Sequence, residues 1–285
     1  MRLCLVLAVI AGLASQAQSD TKFFGQLNLP TTSNGLGGLS GIEVDADGHR
    51  IWLISDVGTL FSGALRRDEA GRISEISDLK QGALPVVDFF PNQKKIDSEG
   101  LAITDTSNMF VSFELTHKVM QVLPSGGSQE VGTLPPVVTG LHVNRGLEAL
   151  AVSAGGTLFA IPEDPNHSFG YTPVYSFTQA GWIEVAQLQT ALGFRPTGAD
   201  FGPNGDLFVL ERRASSFGFQ SKVRRVDLRS GTAQTVLHTG WGAHGNLEGI
   251  AAWEPPQGGI MLTMVADNNF LKIFPNELVE YHITE

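Results

Sequence analysis

The chain of 285 residues holds a single cysteine, Cys4. It lies in the apolar stretch Leu3 to Ala14, which follows one basic residue, Arg2, and leads into Ser15-Gln16-Ala17. A base, an apolar run and then small residues at the positions a signal peptidase reads predict a secretory signal peptide over 1–17. The apolar run is about 12 residues, too short to span a bilayer. No later run is longer, so no membrane span is predicted. Cleavage would leave residues 18–285, a single domain on this reading, with no cysteine. That excludes disulfides, a thiolate nucleophile and thiolate metal ligands. Cys4 stands at the front of the run, out of place for a lipoprotein anchor. The expected destination is a bacterial periplasm, or secretion beyond it.

Basic residues are also scarce. Nineteen Lys and Arg face 29 Asp and Glu, a formal net charge of −10, and losing Arg2 takes it to −11. No basic surface is available to neutralise phosphates, which argues against nucleic acid and anionic membranes as partners. The same excess of carboxylates suits a cation. Nucleophile signatures are missing too. There is no G-x-S-x-G turn, since Gly38-Leu39-Ser40-Gly41 has the wrong spacing, and there is no H-E-x-x-H. The histidines are scattered, although His142 and His244 each fall shortly before a repeated glutamate. Helical periodicity is equally rare, and Ile183 to Leu192 is the only stretch with room for a turn of helix.

What the chain has is glycine, 33 residues of it, and a phrase that recurs. Residues 144–163, NRGLEALAVSAGGTLFAIPE, read as two short apolar strands joined at Gly155-Gly156 and ending on an acid. The pattern returns at 37–56, 97–114, 195–212 and 244–270. Positions 40, 99, 148, 198 and 248 are spaced 59, 49, 50 and 50 apart. A period of this size filled with β-hairpins predicts an all-β propeller. Four further hairpins, at 61–82, 117–134, 173–188 and 221–238, read as the outer strands of blades. The strand Lys22 to Leu29 and the strand-like ends LKIF and LVEYHIT would pair to close the ring without leaving a sheet edge open. Five blades account for the chain, and six would require one unit to have lost its hairpin.

Position 99 and its equivalents place Glu99, Glu148 and Glu248 on the first strand of their blades, with Ser40 and Gly198 at the same step. The first strand of a propeller blade lies nearest the axis, so these carboxylates converge. Like charges on one ring raise one another's pKa or draw in a cation. Oxygen-only ligands point to Ca²⁺, held by Glu99, Glu148, Glu248 and Ser40. The alternative is that each acid caps backbone N–H groups at the start of its strand. The acids ending the second strands, Asp56, Glu114, Glu163, Glu211 and Asp267, form a second ring, accompanied by Arg145, Arg195 and Arg212. That ring either ties blades together or, with Lys95, holds an anionic group beside the metal.

The segments DSEGLAI, NRGLEALAVS, RPTGADFGPNGDLFVLERR and NLEGIA with DNNF resemble a family of exported bacterial propellers named for an esterase-like activity of phytase. The resemblance covers nearly all of the mature chain. It implies hydrolysis of phosphate or carboxylate esters, and its matching positions are Glu99, Arg145, Glu148, Arg212, Glu248, Asp267 and Asn268. The family often has two acids before the final asparagine, where this chain has Ala266-Asp267. A looser similarity to five-bladed calcium-dependent nucleotidases, with acid–glycine–apolar repeats around a central Ca²⁺, supports the metal ring. The expected substrate-binding set is Arg145, Arg195 and Arg212 with Asp267 and Asn268, around a small-molecule substrate, and the expected state is a monomer. Phytate itself would need clustered basic residues, and here these lie mostly in the outer hairpins. A non-catalytic propeller that binds a ligand or a protein around a structural ion is the other reading.

Overall fold

Strands appear where the hairpin repeats put them. The computed structural model describes residues 20–30, 36–86, 96–105, 108–135, 138, 146–163, 170–189, 193–268 and 275–284. A lone strand, β1 (Asp20–Asn28), comes first. Blade 1 is β2 (Leu39–Val44), β3 (Arg50–Ser55), β4 (Thr59–Arg67) and β5 (Ile73–Ala83). Blade 2 is β6 (Ser98–Asp105), β7 (Asn108–Phe113), β8 (Lys118–Val122) and β9 (Ser128–Glu130). Blade 3 is β10 (Leu147–Val152), β11 (Leu158–Pro162), β12 (Tyr171–Thr178) and β13 (Gly181–Gln189). Blade 4 is β14 (Arg195–Phe201), β15 (Leu207–Ser215), β16 (Gly218–Asp227) and β17 (Thr232–His238). Blade 5 is β18 (Asn246–Trp253), β19 (Ile260–Asp267) and β20 (Glu277–Thr284), completed on its outer edge by β1.

The blades are five, not six, and the two ends of the chain share one of them. β1 runs antiparallel to β20, from Asp20 opposite Thr284 to Asn28 opposite Glu277. A bidentate ion pair joins blade 1 to this composite blade: Arg67 donates from Nη1 and Nη2 to Glu280 at 2.8 and 2.9 Å, and Glu280 is fully buried. Residues 183–189, where a helical turn had room, belong to strand β13. LKIF (271–274), expected in the closing blade, lies outside the described residues. No helix among the described residues is long and apolar enough to cross a membrane.

The first strands pack in a closed cycle, β2 to β6 to β10 to β14 to β18 and back to β2. Every residue of β2, β10 and β18 is buried, which is why these strands read as apolar runs with little alternation. The core is five wedges, one between each pair of neighbouring blades. Leu53 and Phe61 meet Val265 between blades 1 and 5, and Leu150 and Tyr175 meet Val119 between blades 3 and 2.

Convergence at the axis explains the small residue after each acid of the repeat. A β-carbon added to Gly41 would lie 2.8 Å from the Glu99 carbonyl oxygen, and one on Gly198 would lie 2.8 Å from that of Glu248. Neighbouring inner strands approach too closely for a larger residue. Side-chain hydroxyls stitch the same layer: Ser40 Oγ donates to the Ser98 carbonyl at 2.6 Å, and Thr197 Oγ1 to the Leu247 carbonyl at 3.2 Å.

Candidate functional site

All five inner strands carry a bulge at the same place. Pairing with the second strand skips between Leu39 and Gly41, Ser98 and Leu101, Leu147 and Ala149, Pro196 and Gly198, and Leu247 and Gly249. A bulge inserts an unpaired residue and re-aims its side chain. The residues so placed are Ser40, Glu99, Glu148, Thr197 and Glu248. Blade 4 therefore contributes Thr197 where even spacing had put Gly198. The recurring pair, hydroxyl or acid followed by glycine or alanine, was the sequence signal that distinguishes the two.

The second strands show a matching correction. Asp56, Glu114, Glu163 and Asp267 share one position, and the blade 4 residue there is Arg212, because Arg195 pairs with Arg212 and Pro196 with Glu211. Glu211 falls on the other face of its strand. There it is buried between Arg224 Nη2 at 2.6 Å and Lys222 Nζ at 2.8 Å, a structural role.

These rings open into a cavity of about 450 Å³ at one mouth of the axis. Eight carboxylates line it, Asp56, Asp97, Glu99, Glu114, Glu148, Glu163, Glu248 and Asp267, with Ser40 and one guanidinium, Arg212. Arg212 is spent mostly on Glu248, through Nη2 to Oε1 at 2.9 Å and Nε to Oε2 at 3.2 Å, and Asn246 Nδ2 also donates to that carboxylate. Arg195 reaches the rim through Glu163, Nη1 to Oε2 at 3.3 Å. Asn268 is buried behind the site, its Oδ1 accepting from the Gly38 N–H at 3.2 Å. Arg145, Lys95 and His142 lie outside the described residues. His244 bonds the Tyr281 hydroxyl at 2.7 Å and does not line the cavity.

The acids that gather most closely sit on blades 2 and 3. Asp97, Glu99 and Glu114 can each offer an oxygen within 4.8 Å of the others, and so can Glu114, Glu148 and Glu163. Glu114 belongs to both groups. Asp97 was missed in the sequence, and the acid opening DSEG, where other blades have Gly38, Gly146, Arg195 and Asn246, was the available signal. Its backbone stands at φ 52°, a left-handed conformation that aspartate tolerates better than most residues.

Burial dominates the electrostatics. It pushes Glu99 well above the ordinary carboxylate range, and Glu248, Asp97, Glu114 and Asp56 add to the push. Glu148 is raised by burial and then by Glu99, Glu114 and Glu248. Burial takes Glu114 up to about 7, against a hydrogen bond from Glu148 that lowers it. Glu248 is raised by burial, but Arg212 and Asn246 pull against it. Without a counter-charge this mouth keeps protons at neutral pH.

Comparison with known proteins places this geometry in a family. A profile described as "Phytase-like: Esterase-like activity of phytase" matches residues 34–270, which takes in blades 1 to 4 and the two inner strands of blade 5. The chain belongs to this phytase-like family. Among solved structures, a calcium-binding protein, regucalcin, from Agrobacterium tumefaciens superposes on the phytase-like propeller with a TM-score of 0.50 at 12% identity, covering 91% of this chain and 95% of that one. Virginiamycin B lyase from Staphylococcus aureus gives 0.47 at 11% identity, covering 93% and 100%. At such identities the regucalcin likeness speaks to the fold alone. No curated protein sequence matches the phytase-like chain.

Proposed function

We propose that this phytase-like propeller is an exported hydrolase that cleaves an ester or phosphoester of a small molecule at the acidic mouth, as a monomer, with Ca²⁺ bound there. The observation that carries this reading is the pair of overlapping carboxylate groups sharing Glu114. Two oxygens on opposite sides of a Ca²⁺ ion lie roughly 5 Å apart at most, since each bond is about 2.3–2.6 Å. Oxygens gathered within 4.8 Å fit that ion. Among the described residues the donor set is carboxylate and hydroxyl oxygen. Asp97, Glu99, Glu114, Glu148 and Glu163 would hold the ion, more of them than the set Glu99, Glu148, Glu248 and Ser40 read from the sequence. Glu248 is engaged by Arg212, and Ser40 by the Ser98 carbonyl.

A bound divalent cation supplies Lewis-acid polarisation of the ester and a more acidic water. The chain's own contribution is position. Arg212 and Arg195 stand beside the acids and favour a substrate with one anionic group. The cavity is open and large enough for a small molecule, which supports a reachable ion over one sealed for structure alone. The predicted leader supports export to the periplasm or beyond.

Calorimetric titration of Ca²⁺ into chelator-treated protein, beside Glu148→Gln, tests the reading, followed by ester and phosphoester screens with Ca²⁺ present. Binding that the variant weakens, together with turnover that chelation abolishes, is expected. Absence of Ca²⁺ binding would overturn the metal site. Binding without turnover of any ester would leave a ligand-binding propeller.

A further inference from the structure

The axis has a second mouth. Below the bulges it narrows to a gap of about 10 Å³ lined by Gly41, Ile42, Leu101, Leu150, Gly198 and Ile250, about the size of a single water. Beyond the gap a larger cavity of about 750 Å³ opens. Two acids at equivalent positions of the inner strands, Glu43 on blade 1 and Asp200 on blade 4, line it.

We propose that this opposite mouth is a second ligand site, for an organic ammonium ion carrying an apolar body. Glu43 and Asp200 are only 7% and 8% exposed, yet both line the cavity. Glu43 Oε1 accepts from the Ile103 N–H at 3.1 Å, and among the described residues no donor reaches its other oxygen. Asp200 accepts from Phe201 N–H and Ala252 N–H, both at 2.7 Å. Asp45 and Glu254 add negative charge, and among the described residues no Lys, Arg or His lines the cavity. Val44, Trp52, Ile103, Val152 and Phe201 supply an apolar wall, and the volume is that of an ordinary small-molecule pocket.

Backbone N–H groups already occupy three of the four carboxyl oxygens, which leaves too few for a metal that takes 6 to 8. An ammonium group needs only the free oxygen and the negative field. Burial and the charge of Asp200 hold Glu43 well above the ordinary carboxylate range, and burial takes Asp200 up to about 7. An empty pair therefore keeps a proton at neutral pH, and an arriving ammonium would displace it.

Calorimetric titration of the purified protein with phenethylamine and tryptamine, beside their neutral isosteres 2-phenylethanol and tryptophol, tests the site. At least one amine should bind 10-fold or more tightly than its alcohol, with a buffer-dependent heat that reports proton release. Glu43→Gln and Asp200→Asn keep an acceptor for the capped N–H groups. Each should weaken the amine at least 10-fold and leave Ca²⁺ titration at the acidic mouth unchanged. Trp52→Ala should weaken amine and alcohol alike, and it serves if the acid variants fail to fold. The proposal is overturned if neither amine binds, if the alcohols bind equally well, or if Ca²⁺ displaces the amine. The outcome does not depend on the hydrolase reading, which concerns the other mouth.

Discussion

The two mouths of the axis are built on the same five strands and handle negative charge in opposite ways. At the first, bulges turn Glu99, Glu148 and Glu248 inward, and second-strand acids crowd around them until two triads of oxygens lie within 4.8 Å. At the second, Glu43 and Asp200 stand two positions beyond the narrow gap, and each takes an N–H from the following blade. Among the described residues the first site sets eight carboxylates against one guanidinium, a balance that favours protons or an added cation. The second has most of its carboxyl oxygens capped by backbone N–H groups, and has apolar walls. Depth and hydrogen bonding, more than the count of acids, separate the proposed cation site from the proposed amine site.

The largest effect expected on this contrast is from Glu148→Gln. Removing one carboxylate from a buried charge cluster costs about 3–5 kcal/mol of cation binding, roughly 100- to 1000-fold or more in affinity. Glu43→Gln should leave Ca²⁺ affinity unchanged, and an equal loss in both variants would mean the mouths are one electrostatic unit. Gly41→Ala strikes the gap between them. Its new β-carbon would fall 2.8 Å from the Glu99 carbonyl oxygen, and overpacking of this kind costs roughly 1–3 kcal/mol. Urea unfolding should show it, whereas an unchanged midpoint would mean the inner strands can spread.

The pH dependence sharpens the comparison further. Glu99, Glu148 and Glu114 have folded pKa values above their unfolded ones, with Glu114 near 7. Their contribution to stability is therefore full below about pH 4.5, the unfolded glutamate range, and fades as pH rises through about 7. Chelator-treated protein should melt several degrees lower at pH 8 than at pH 5.5, and added Ca²⁺ should remove most of that difference. A melting temperature that rises with pH in chelator would contradict the raised carboxylates. The smallest effect is expected from Arg212→Gln. Freeing Glu248 from its guanidinium should tighten Ca²⁺ about 3- to 10-fold at low salt, an effect that screening reduces. Weaker binding would show that Arg212 orients Glu248 as a ligand.

Much of this was legible in the chain. The repeat at 144–163 and its copies gave the inner hairpins, and Ser230-Gly231 and its counterparts marked the outer turns. The strand near Lys22 was correctly paired with the C-terminal end. Glu99, Glu148 and Glu248 were readable because each precedes a small residue at a fixed step. Gly198 and Glu211 were each one residue off, and the structure puts Thr197 and Arg212 at those steps. Even spacing does not see a bulge, and in a strand one residue is the difference between facing the axis and facing the neighbouring blade. Glu211 looked like a member of the acid ring and is instead sealed by Arg224 and Lys222. Glu43 and Asp200 were passed over, although an acid inside GIEV and GADF where other blades carry alanine was a visible signal.

The sequence by itself determined an all-β chain of hairpin repeats whose copies count the blades, because glycine turns and apolar strands are local properties. Tertiary structure alone decided which acids meet. Asp97, Glu99 and Glu114 meet where the bulge and the strand ends of blade 2 come together, and the packing of blade 3 against blade 2 brings Glu148 and Glu163 to Glu114. The same packing narrows the axis between two cavities, since the distance between inner strands is set by the packing of all five wedges at once.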